Sequence, residues 1–292
     1  MDEKLATILS SHEKWINNKP DGCRAILATA DLHGMDLHGV NLQYADLRNV
    51  NFRGANLQKA NLQHALFHSS DLYEANLNGA NLQCAKLRRV NLQKAQLHNT
   101  DLGKADLSES VLRGANLWGG HLEYTQLYHV DLSEADLRYA DLCGAYLYGS
   151  KLYRTHLYTA NLYRANLYGV DLRRANLRYA RLRKTDLCYT KLSRASLRYA
   201  KLSEAKMQHA DLSNAYLADA DLHDVDLSYS CLRKAIFRNA NLRRADMRNI
   251  DMEGADMRNA DMRDADLRGT PLHGAKLQGA KLQGAKLQTE KE

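Results

Sequence analysis

Every fifth residue from Leu27 to Leu287 is Leu, Phe or Met, fifty-three positions in unbroken register. Ala75-Asn76-Leu77-Asn78-Gly79 and Ala135-Asp136-Leu137-Arg138-Tyr139 show the layout of the unit. A mostly small residue stands two before the apolar centre, and Asp or Asn fills 31 of the 53 positions between them. The two residues after the centre vary freely. A period of five fits neither the 3.6-residue turn of a helix nor the two-residue alternation of a plain strand. Three residues can alternate as a strand, small residue and centre inward, and the other two must then turn the chain. A fixed internal period of this kind marks a solenoid, in which stacked neighbours bury one thin continuous core.

Composition supports that core and excludes others. The chain has 292 residues but only three Phe and two Trp, so a globular core with aromatic anchors is not expected. Of 17 Gly, 14 occupy the second residue after the centre, where a corner with positive φ favours them. Corners without Gly carry Tyr, Arg, Lys, His or Asn, from which more than one turn type is expected. Residues 1–24 stand outside the repeat. Leu5, Ile8, Leu9 and Ile16, with His12 between, fall at helical spacing. The cluster Asn17 to Gly22 ends that stripe. A short amphipathic helix here would cap the open end of the stack.

The pattern A-(D/N)-L-x-x resembles the pentapeptide-repeat family, over roughly nine tenths of the chain. The resemblance implies an all-β fold, a right-handed quadrilateral β-helix with four units to each coil, here with a short N-terminal α-helical cap. It divides the chain into a cap, 1–24, and a β-helix of about thirteen coils, 25–292. At about 4.8 Å per coil the stack would be roughly 60 Å long. The residues give their own support for four. Read every twentieth position, Asp131, Lys151, Asp171, Lys191 and Asp211 alternate in sign, as do Asp186, Lys206 and Asp226. A spacing of 15 would set Asp171 beside Asp186, which is unfavourable. In this register Leu182 points into the axis and Arg178 points out. The tract Met247, Met252, Met257 and Met262 reads as core repacked around the large Ile250. Lys276, Lys281 and Lys286, behind Pro271, discourage strand addition at the far end.

Function is far less legible. Five Cys without a CxxC and no secretory signal suggest a reducing, cytoplasmic setting. No apolar run is long enough to span a membrane, and no membrane partner is expected. The repeat is not interrupted by any insertion that could build a cleft, so no enzyme, cofactor or metal site is expected. His33, His38, His64 and His68 lack ligand spacing, and the Asp run at 246, 251, 256, 261 and 266 is the ordinary Asp of the repeat.

Charge is the local anomaly. The net formal charge is +7, yet residues 151–200 alone carry twelve basic residues against Asp171 and Asp186, which leaves −3 for the remainder. In a four-unit coil Arg138, Tyr158, Arg178 and Arg198 form one column, with Tyr139, Tyr179 and Tyr199 beside it. Basic groups at coil spacing can follow phosphates, and exposed aromatic rings can stack on bases. The same ladders also suit an exposed sheet without any ligand. The expected function is therefore a non-catalytic binding or scaffold protein. Its partner would be another protein, or else nucleic acid or another polyanion held on 151–200, with the chain a monomer or an end-to-end dimer. Some members of the resembled family mimic duplex DNA and bind type II topoisomerases. The basic middle and the Lys-Gln-Gly end of this chain argue against that role.

Overall fold

A computed structural model describes residues 3–287. The last residues assigned to the repeat region, 288–292, and the first two of the cap lie outside the described residues. The chain divides into two compact units, Met1–Ala145 and Tyr146–Glu292, each described here by itself.

Both units are stacks of coils held by parallel bridges between residues 20 apart. They run from Ile26↔Asp46 to His121↔Asp141 in the first and from Tyr146↔Asn166 to Asp266↔Lys286 in the second. Four five-residue sides therefore close each coil. The alternation read from the sequence falls on these bridges, as in Lys151↔Asp171, Asp171↔Lys191 and Lys206↔Asp226.

The period of five follows from where the backbone N–H groups go. Around Leu42, its own N–H donates to Asn61 O at 2.8 Å, that of Tyr44 to Gln63 O at 2.8 Å, and that of Asn61 to Val40 O at 2.8 Å. These three tie one coil to the next. The N–H of Ala45 closes a turn onto Leu42 O at 3.1 Å. The fifth, on Gln43, donates to the Asn41 side-chain Oδ1 at 3.3 Å. Asp or Asn before the centre thus supplies an acceptor for an N–H that otherwise has none. Tyr73 on Asp71 and Arg173 on Asp171 repeat the contact.

Positive φ at the corners extends beyond glycine. Every residue at the second position after the centre, from Thr29 to Gly284, has positive φ, whether or not it is Gly. Lys59 has φ 56°, Arg174 59° and Tyr199 61°. Positive φ at the third turn residue alone is the type II pattern. A non-Gly residue in this region costs about 1 kcal/mol or more. The cost is met because each such N–H is locked into the inter-coil ladder, and a different turn would break it and the stacking on both sides.

Inside, the centres are closed to solvent, with Leu182 at 0% exposure. Met247, Met252, Met257, Met262 and Ile250 are all buried, which places the Met tract in the core. Where a branched residue takes the small position, a hydroxyl 20 residues on can open the turn. Ser70 Oγ donates to Leu47 O at 2.6 Å and accepts from the Val50 N–H at 3.2 Å. Ser110 does the same with Leu87 and Val90, and Thr270 with Met247 and Ile250.

In the first unit, α1 spans Glu3–Ile16. It buries Leu5 and His12 and half-buries Ile8, Leu9, Trp15 and Ile16. His12 Nδ1 accepts the N–H of Ala25 at 3.0 Å, at the first repeat. That contact requires the neutral ring, and burial holds the His12 pKa below the usual histidine value. Trp15 meets the Tyr44 ring edge-on at 6.3 Å, and Tyr44 stacks on His64 at 4.7 Å. The return loop passes so close that a Cβ on Gly22 would collide with the Trp15 backbone, so only Gly fits there.

Candidate functional site

The seven residues singled out from the sequence fall in both units. Arg138 and Tyr139 belong to the first. Arg138 is forked onto Asp136, with Nε to Oδ1 at 2.9 Å and Nη2 to Oδ2 at 2.6 Å, so its charge is already neutralised. Tyr139 is exposed, its ring 5.5 Å from that of Trp118.

The other five lie in the second unit and do meet. Tyr158 contacts Tyr179 edge-on at 5.5 Å, and Tyr179 stacks on Tyr199 at 4.8 Å with the rings 13° apart. The Arg198 guanidinium lies 5.4 Å from the centre of the Tyr199 ring. Arg178 departs from the expectation of a freely exposed side chain. It is half-buried, and its Nε is covered without a hydrogen-bond partner.

A local rule explains the difference between Arg138 and Arg178. Where Asp precedes the centre and Arg follows it, Asp Oδ1 takes the Arg backbone N–H and Nε while Oδ2 takes Nη2. Arg48, Arg138, Arg173, Arg248, Arg258, Arg263 and Arg268 all follow it. Arg178 and Arg243 have Asn at the same place, Asn176 and Asn241, and both leave Nε unsatisfied.

Of the twelve basic residues in 151–200, three have a carboxylate within ion-pair distance. Arg173 pairs with Asp171, and Arg183 and Lys184 share Glu204. Burial raises the Asp171 pKa, but hydrogen bonds from Arg173 and the nearby Lys191 outweigh it, and the carboxyl stays below its usual range. The sequence reading missed the clearest feature here. Arg154, Arg174 and Arg194 stand 20 apart at one corner, with φ of 57°, 59° and 59°. All three are exposed and none has an ion-pair partner among the described residues. Their signal was present in the sequence at the 20-residue spacing, at a different corner from the Arg138, Arg178 and Arg198 column.

A second column carries rings. Tyr148 meets Tyr168 at 5.7 Å, Tyr168 meets Tyr189 at 5.2 Å, Tyr189 stacks on His209 at 4.7 Å, and His209 stacks on Tyr229 at 5.3 Å. The column passes from the first corner position to the second between Tyr168 and Tyr189. There the first position is taken by Cys188, whose Sγ donates to Gln208 Oε1 at 2.7 Å and whose pKa burial pushes up to about 12. All five cysteines are free thiols. No group of three or more His, Cys, Asp or Glu among the described residues could hold a metal ion.

Models of pentapeptide repeats match residues 91–123 and, in overlapping segments, on to 258–288, and a pentapeptide repeat region model matches residues 23–97. The chain belongs to the pentapeptide repeat family. Family membership carries the right-handed quadrilateral β-helix with it. Among solved structures, the pentapeptide repeat protein HetL of the cyanobacterium Nostoc sp. strain PCC 7120, involved in heterocyst differentiation regulation, is 30% identical. The match covers 84% of this chain and 88% of HetL, with a TM-score of 0.34. A pentapeptide repeat protein of the Arabidopsis thaliana thylakoid lumen is 25% identical over 34% of this chain and 68% of its own, with a TM-score of 0.33. QnrB1, a plasmid-mediated fluoroquinolone resistance protein, is 18% identical over 58% of this chain and 84% of its own, with a TM-score of 0.26. No curated protein matches.

Proposed function

We propose that this pentapeptide repeat protein is a non-catalytic binding module, and that it holds an anionic macromolecule on the outer columns of residues 151–200. The observation that carries the reading is the set of nine basic side chains there with no carboxylate within ion-pair distance among the described residues. Like charges stacked at coil spacing are unfavourable by themselves. An anionic partner relieves that repulsion, and a scaffold for such a partner needs no moving part. A DNA-mimic role would need acidic columns, and a segment of net +10 opposes it.

Retention on heparin tests this reading. The full chain is expected to elute well above physiological salt. Arg154→Asn/Arg174→Asn/Arg194→Asn should elute much earlier with an unchanged melting curve. Asn is chosen because it tolerates positive φ and already stands next in that column as Asn214. Elution of the parent chain in the wash would overturn the proposal.

A further inference from the structure

The ring column and the arginine column occupy consecutive corners of the same coils. In one coil Tyr168-Gly169 turns into the side Val170-Asp171-Leu172, which ends at the corner Arg173-Arg174. In the next, Tyr189 leads through Lys191 to Arg194. One side of the second unit is thus edged by a continuous aromatic rail and, across a single side, by an arginine rail. Lys151, Asp171 and Lys191 project between them in bridge register. The width is three extended residues, on the order of 10 Å. Tyr168, Tyr189 and Tyr229 are 37%, 50% and 56% exposed, so ring edges are open along the rail while stacked neighbours cover ring faces.

We infer that this side of unit 146–292 binds a single strand of nucleic acid along the stacking direction, bases against the tyrosine rail and phosphates along Arg154, Arg174 and Arg194. The inference rests on the anionic-partner reading and names the partner's chemistry. Two features favour a single strand over other polyanions. Arginines alone would serve any polyanion, but a carboxylate polymer has no use for a ladder of ring edges, whereas a nucleobase can lay its face against them. The rungs repeat at about 4.8 Å, the coil spacing. A duplex is held to about 3.4 Å per nucleotide on each strand with its bases turned inward. A single strand can lengthen to the rungs and present its bases. Phosphate and base lie at opposite ends of a nucleotide, as the two rails lie at opposite edges of the side.

The test is fluorescence anisotropy of a labelled oligothymidylate of about 16 nucleotides, the upper range for one single-strand-binding fold. The full chain is titrated over a range of salt, beside a duplex of equal length and with poly-L-glutamate as competitor. Single-strand binding should exceed duplex binding. Tyr168→Thr/Tyr189→Asn removes two rungs with residues suited to those positions, and should weaken single-strand binding at least fivefold. Loss of one edge-to-face aromatic contact is worth about 2- to 13-fold. The salt slope of that variant should not change. The triple arginine-to-asparagine variant should flatten the log–log slope by about 2, at about 0.7 per lost phosphate contact. Melting curves of both variants confirm the fold. If the tyrosine variant binds as the parent does, or the duplex binds as tightly as the single strand, the inference is overturned while heparin retention leaves the anionic-partner reading standing. Displacement of the oligonucleotide by an equal charge of poly-L-glutamate overturns it in favour of an acidic protein. Absence of both heparin retention and oligonucleotide binding removes both.

Discussion

Residues 151–200 and 233–268 share one coil, one turn and one core, and differ in what becomes of their charge. In 233–268, seven of nine basic residues are paired, Arg258 and Arg238 both on Asp256 and Arg233 on Asp251 and Glu253. In 151–200, three of twelve are paired. One position per unit accounts for four of the seven pairs in 233–268. Asp before the centre and Arg after it neutralise each other on the spot, as in Asp261-Met262-Arg263. Asn176 and Ser196 in place of that Asp leave Arg178 and Arg198 without a carboxylate within ion-pair distance. The same scaffold therefore yields a self-satisfied wall in one region and an open basic surface in the other. Ion pairs this exposed add little to stability individually, about 0–1 kcal/mol. The difference is thus one of what the surface can attract rather than of how firmly it folds.

If the two regions share a frame, a lysine in the axis should be equally ruinous in both. Leu182→Lys and Leu242→Lys each bury a charge at 0% exposure. Each should cost about 4–5 kcal/mol or unfold the neighbouring coils. A melting curve that spares either variant would break the common frame.

Acid should separate the regions next. Hydrogen bonds from Arg263 and from Arg268 hold Asp261 and Asp266 down at about 2, and Asp256 is depressed further by Arg258 and Arg238. A carboxyl whose folded pKa lies below its unfolded value stabilises the fold above about pH 4 and loses that contribution as pH falls through the folded value. Residues 233–268 should therefore lose a modest part of their hydrogen-exchange protection between about pH 4 and pH 2. Residues 151–200 have only Asp171 among the depressed carboxylates and should change less over that window. Equal loss in both regions would contradict the pairing scheme.

Single substitutions sharpen the contrast. Asp256→Asn removes the acceptor of two guanidinium groups and should cost about 1 kcal/mol by thermal melting, since both arginines remain largely solvated. The smallest change in stability is expected from Asn176→Asp, which gives Arg178 the carboxylate that its counterparts in 246–268 possess. Stability should move by less than about 0.5 kcal/mol, and the variant should leave heparin at lower salt. An unshifted elution would mean that Arg178 takes no part in the basic surface.

Much of this was open to reading from the chain alone. Leu every five residues can be buried only on a turning strand, and charge alternation at 20 residues, Lys151 to Asp171 to Lys191, selects four sides to a coil. The stripe of Leu5, Ile8 and His12 marks a helix because its spacing matches no other element. These signals are local or strictly periodic, so no fold is needed to see them. The tertiary structure decided what depends on atoms meeting across coils. Lys59 and Tyr199 share Gly34's positive φ because the ladder holds their N–H groups, not because their own propensity favours it. Arg183 finds Glu204 and Ser70 enters the Val50 turn only once residues about 20 apart are stacked. Tyr168 joins Tyr189 across a change of corner position, which no fixed spacing predicts. A five-residue unit specifies its own inside and outside. Which outside groups meet, and which charges stay unpaired, is settled by the neighbours that the coil brings alongside.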